Sequence, residues 1–125
     1  VCPSNPYVSV DPLLKLDGFA NLLTGLPVVA ISPIVGGMAI KGPAAKMMAE
    51  LSVPASAKAV ADHYEALYPG LLSGFIVDKT DENQQPEIAS GLEIPTIATN
   101  TIMITLQDRV DLGNTTLRFL QDLAA

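Results

Sequence analysis

Two short segments carry the residue types that would hold an anionic ligand. The first is Pro3-Ser4-Asn5-Pro6. Ser4 and Asn5 offer compact hydroxyl and amide donors to phosphate oxygens, and the prolines on either side restrict the backbone between them. The same four residues read equally well as a plain turn. The second segment is Ser32-Pro33-Ile34-Val35-Gly36-Gly37, which runs on to Lys41-Gly42-Pro43. Paired glycines let a ligand approach the backbone, and a helix starting near Pro43 would add the positive end of its dipole. Lys41 reads either as a partner for phosphate charge or as a solvated side chain. The spacing matches neither the Gly-x-Gly-x-x-Gly dinucleotide pattern nor the Gly-Lys-Ser/Thr of a P-loop, and the glycines also fit a flexible linker.

Single residues say less. His63, the one histidine, falls inside a predicted helix between Asp62 and Tyr64. A general base needs a positioned nucleophile, and no partner is visible in the sequence, so His63 reads as structural or surface. Asp78, at a predicted strand end, is the best-placed carboxylate for orienting a ligand or metal. One acid falls short of a Mg2+ site, which combines carboxylates with substrate phosphates. Asn100 and Thr101 also follow a strand, and Met47 and Met48 read as packing. A single cysteine, Cys2, excludes an internal disulfide or a thiolate zinc site; it reads as a buried apolar residue in a reducing compartment.

These residues need a scaffold. Pro27 to Ser32 is short, β-branched and apolar on both alternating faces, as in a strand buried on both sides. A helix is predicted over Ala44–Leu51, and another runs from a cap near Ser56 to Leu67, ended by Pro69-Gly70. Gly74 to Asp78 reads as a second buried strand, followed by a polar loop over residues 79–85. A short helix over Pro86–Ser90 is stopped by Gly91, and Ile94 to Thr99 is a third strand. Leu106, Val110, Leu117, Leu120 and Leu123 form the apolar stripe of a long C-terminal helix, loosened at Gly113. Strands alternating with helices predict an α/β fold, Rossmann-like and three-layered, with a mostly parallel sheet. Three strands make an incomplete version of that fold, with an edge or face left uncovered.

Composition agrees with incompleteness. The chain has 125 residues, 49% of them hydrophobic and only 16% charged, with a mean hydropathy of +0.36. That apolar surplus requires an extensive core or further protein to pack against. The formal net charge is -6, which argues against nucleic-acid binding. The first 50 residues balance three bases against three acids, so an anionic ligand is better placed there than in the acidic remainder. Pro27, Pro33, Gly36, Gly37 and Lys41 interrupt the most apolar region, so no membrane helix is predicted. No secretory signal is visible, and the abrupt start at Val1 reads as that of a fragment.

Several of these stretches together resemble the 2-phospho-L-lactate transferase family. They are Pro3-Ser4-Asn5-Pro6 with Ser9, Val29 to Gly37, Ala39 to Ala44, Lys46 to Met48, Ala61 to Tyr64 and Gly74 to Asp78, followed by Thr99, Thr101, Met103 and Asp108-Arg109. The resemblance covers essentially the whole chain and corresponds to the C-terminal portion, residues 1–125, of a longer transferase domain. It implies a cytoplasmic, homodimeric, Rossmann-like enzyme of coenzyme F420 biosynthesis. Such an enzyme moves a phospholactyl or phosphoenolpyruvyl group from a guanosine diphosphate-linked donor to a deazaflavin acceptor, releasing GMP with Mg2+ assistance. On matching positions, Ser4 and Asn5 with the Gly36-Gly37 segment hold the nucleotide donor. The expected substrate-binding set is Ser4, Asn5, Ser32, Val35, Gly36, Gly37 and Lys41. Met38 stands where many relatives are expected to carry a basic residue. The family's glycine-rich loop, metal-binding aspartates and catalytic groups are expected upstream of Val1, leaving no metal ligand in this chain and no transfer activity in the isolated piece. Two other readings stand beside it: a nucleotide-sugar-binding metabolic regulator of a related family, and a truncated remnant that dimerises through an apolar face.

Overall fold

Three short apolar strands line up side by side in the computed structural model, which describes residues 1–125. The chain opens with a π-helical turn, Pro6–Val10, continuing into helix α1 (Asp11–Leu14) and then α2 (Phe19–Leu22). Next come β1 (Val29–Ile31), a hairpin of β2 (Ile34–Val35) and β3 (Met38–Ala39), and helices α3 (Ala44–Glu50) and α4 (Ala57–Leu67). Strand β4 (Gly74–Asp78) leads through a 3-10 turn (Lys79–Gln84) into α5 (Gln85–Leu92). Strand β5 (Thr96–Thr99) and the long α6 (Leu106–Ala124) complete the chain.

The main sheet has the order β1-β4-β5 and is parallel throughout. Because successive side chains on a strand point to opposite faces, the strands feed two cores. Ala30, Phe75 and Val77 pack with Val60, Ala61 and Tyr64 of α4 and Ile88 of α5. Val29, Ile31 and Ile76 face the other way and meet Leu112 and Phe119 of α6. The result is the expected α/β fold with a helical layer on each side of a parallel sheet. Helix α4 starts where predicted, with Ser56 Oγ accepting from Ala59 N–H at 3.1 Å. Helix α6 opens on a reciprocal cap: Thr105 Oγ1 accepts from Asp108 N–H, and the Asp108 carboxylate accepts from Thr105 N–H.

Several expectations are corrected. Cys2 is exposed rather than buried. Residues 34–39, whose glycine pair also fitted a flexible linker, form a hairpin. The predicted polar loop after β4 is a 3-10 turn. Gly91 lies inside α5, which ends instead where Glu93 turns left-handed at φ +55°. Gly113 does not interrupt α6. Nor does the predicted stripe define the buried side of α6: Leu112 and Phe119 are its buried anchors, with Leu120 and Leu123 beside them, whereas Leu106, Val110 and Leu117 are exposed. A 19-residue helix packed across three short strands buries a narrow seam, and spacing alone joins residues of that seam to others on the far side of the helix.

Candidate functional site

Parallel strands all end at the same edge, so Ser32, Asp78 and Asn100, each just after a strand or at its last position, come out at one end of the sheet. The first residue joins them. Val1 nitrogen donates to Val29 O at 2.6 Å and Val1 O accepts from Ile31 N–H at 3.1 Å. This is parallel pairing, with Val1 opposite Ala30. Ser4 and Asn5 therefore leave the sheet at the same end as Ser32, and that is the end where ligands sit in open α/β sheets.

The side chains there have different commitments. Asn5 is buried, and its Oδ1 accepts from Tyr7 N–H at 2.9 Å and Val8 N–H at 3.3 Å. It caps the π-helical turn, while its Nδ2 points to Met47 Sδ at 3.4 Å. Ser32 is fully buried; its hydroxyl donates to Ile34 O and accepts from Ile34 N–H, which shapes the entry to the hairpin. Val35 pairs with Met38 across a two-residue loop in which Gly36 and Gly37 take φ of +58° and +79°. Positive φ at both positions is what a tight hairpin of this kind needs, and glycine adopts it without strain. Gly36 N–H donates to Asp81 Oδ2 at 3.0 Å, so that donor is spent within the protein. Ser4 and Lys41 make no side-chain hydrogen bond or ion pair. Met38 is exposed at the hairpin.

Asp78 ties the sheet end together. Its Oδ1 accepts from Thr80 N–H at 2.9 Å, and its Oδ2 accepts from Thr101 N–H at 2.8 Å and Thr101 Oγ1 at 3.1 Å. Burial pushes this carboxyl up, but the bonds from Thr101 and Thr80 outweigh burial and hold it below the ordinary carboxylate range. Asp81 is similarly filled by Gly36 N–H and Gln84 Nε2. No three acidic, histidine or cysteine side chains gather in one cluster. Both oxygens of Asp78 and of Asp81 already accept from protein donors, so neither presents the free carboxylate by which Mg2+ is held beside substrate phosphates.

Two groupings carried no signal in the sequence. One is the Gly36–Asp81 contact, which spans 45 residues. The other joins Asp11, His63, Tyr68 and Tyr7 beside a cleft of about 620 Å3, lined also by Val53, Ser56, Lys58 and Asp62. A larger hollow of about 790 Å3 lies away from the strand ends described above, between the Ala20–Pro27 segment, the Leu67–Leu71 turn and the end of α6. It contains no acidic or basic side chain.

No family model matches the sequence. Individual relatives do. The 2-phospho-L-lactate transferase of Methanocaldococcus jannaschii is 38% identical over 121 residues, 97% of this chain and 36% of that protein. The 2-phospho-L-lactate transferase of Methanopyrus kandleri is 32% identical over 123 residues, again 97% of this chain and 37% of the relative. A phosphoenolpyruvate transferase of Streptomyces coelicolor is 43% identical over 81 residues, 63% of this chain. The chain thus spans about a third of the length of the curated relatives it matches.

Proposed function

We propose that this chain, which is homologous to 2-phospho-L-lactate transferases over about a third of their length, is the C-terminal, donor-holding portion of such a transferase. The complete enzyme would move a phospholactyl or phosphoenolpyruvyl group from a guanosine diphosphate-linked donor to a deazaflavin acceptor. The acceptor hydroxyl attacks the phosphorus that carries the C2 oxygen of the lactyl or enolpyruvyl group, the bridging bond to the second phosphate breaks, and GMP leaves. The observation that carries this reading is the alignment of 97% of the chain with a transferase at 38% identity.

The role of the present residues is to bind and orient. Ser4 and Lys41 have uncommitted polar groups and are assigned to the donor's diphosphate, one by hydrogen bond and one by charge. Gly37, exposed at the hairpin tip, lets the donor lie close to the backbone. Asn5, Ser32 and Gly36 act indirectly, since their polar groups are spent on shaping the turn and the hairpin. Val35 supports the hairpin through its pairing with Met38. Mg2+ and the proton acceptor for the deazaflavin hydroxyl belong to residues outside this chain.

A chimera tests the reading. This chain replaces the matching third of the Methanocaldococcus jannaschii relative, and GMP release is followed with a guanosine diphosphate-linked donor and a deazaflavin acceptor. GMP release by the chimera, with none from the 125-residue chain alone, is the expected outcome. A folded chimera that binds a uridine-linked sugar nucleotide and releases no GMP would overturn it in favour of a regulator.

A further inference from the structure

Asp11 is only 4% exposed. A carboxylate withdrawn from water is costly unless its oxygens are filled, and these are. The Tyr68 hydroxyl donates to Oδ1 at 2.7 Å, and His63 Nε2 lies 2.8 Å from Oδ2. Burial, reinforced by the bond to Asp11, pushes the Tyr68 hydroxyl well above its ordinary range, so it remains a donor. A carboxylate accepts and does not donate, so the hydrogen in the second contact sits on Nε2 of His63. His63 Nδ1 makes no protein hydrogen bond and is not sealed from solvent.

The cluster reaches toward the candidate site. The Tyr7 ring meets the His63 imidazole edge-on, with centroids 4.9 Å apart. Tyr7 N–H in turn donates to Asn5 Oδ1. An unbroken line of contacts therefore runs from α4 through Asp11, His63 and Tyr7 to Asn5, whose neighbour is Ser4. Asp11 itself begins α1, directly after the turn that Asn5 caps.

We propose that Asp11 is a positioning residue: held by His63 and Tyr68 of the α4 region, it fixes the turn that presents Ser4 and Asn5 at the carboxyl end of the sheet. Its effect on ligand affinity rests on the reading that this turn meets the nucleotide diphosphate; its effect on the turn does not.

The test uses the 15N-labelled chain with Asp11→Asn, Asp11→Ala and Tyr68→Phe variants, and GDP as probe. In Asp11→Asn the carboxamide satisfies both neighbours in either orientation, because the Tyr68 hydroxyl donates or accepts. This conservative variant should therefore hold the turn, with Tyr7 and Val8 exchange within about twofold of the parent. In folded Asp11→Ala, exchange of the Tyr7 and Val8 amide hydrogens should rise about tenfold as the turn loosens, and GDP affinity should fall about tenfold. Unchanged exchange at Tyr7 and Val8 in folded Asp11→Ala, or exchange in Asp11→Asn as fast as in Asp11→Ala, overturns the proposal. Should Asp11→Ala not fold, Tyr68→Phe reads the same amides, with a rise of about threefold expected and no rise contradicting it. If the parent chain binds no GDP, the transferase reading fails, while amide exchange in the three variants still decides the role of Asp11.

Discussion

Asp78 shows how a residue can be found in a sequence and yet have its role misjudged. Its position at the end of an apolar strand is legible, and it suggests a ligand-facing acid. The structure spends all of its bonding on Thr80 and Thr101, so its work is to lash the end of β4 to the chain after β5. Gly36 is similar: a glycine pair signals either a turn or a ligand approach, and only the 45-residue contact to Asp81 decides what its N–H does. Such contacts are invisible to local pattern because they are made by folding. The lowered carboxyl of Asp78 gives a pH prediction with a fixed sign. The folded state binds its proton less readily than the unfolded state, so the contribution to stability is present above the unfolded range of about pH 3.9 and is lost as pH falls through the lower folded value. Asp78→Asn should cost about 1–3 kcal/mol at neutral pH, because one N–H donor then faces an amide N–H2. It should also flatten the fall in stability below about pH 4. Urea melts of both proteins across that range check this; an unchanged acid slope would contradict it.

At the scale of elements, β1, β4, α4 and the existence of α6 were all legible, because each combines a strong apolar period with a cap or a breaker. The hairpin of β2 and β3 was not, since two-residue strands have no period to read. The face of α6 is misread for a different reason: its apolar residues lie on two sides of the helix, and which side is buried depends on what the sheet offers. Gly74 supplies part of that choice. A Cβ added there would lie 2.8 Å from two ring carbons of Phe119 and 2.9 Å from Leu123 Cδ1, so the bare backbone of β4 is what lets α6 seat closely. Gly74→Ala is expected to destabilise the fold by about 1–3 kcal/mol through overpacking. Phe119→Leu in the same background should recover part of that loss, by coupling between touching residues. A neutral Gly74→Ala in a denaturation midpoint would mean that α6 packs elsewhere.

For the whole molecule, the apolar surplus read from composition has a visible location. Ile104 and Leu106, 82% and 75% exposed, stand with Val110 and Leu117 on the outer side of α6 and the loop before it. No helix is long and apolar enough to cross a membrane. In the proposed transferase, which is about three times this length in the relatives, this outer side is where further protein would pack. The proposed role of the carboxyl end of this sheet is to hold the donor of a guanosine diphosphate-dependent transferase. Calorimetric titration of the chain with GDP, and separately with a uridine-linked sugar nucleotide, separates that role from a regulator's. Saturable heat is expected with GDP, weakened at least several-fold by Ser4→Ala with Lys41→Ala as two phosphate contacts are lost, and none with the uridine compound. Saturable binding of the uridine-linked sugar with no binding of GDP would contradict it.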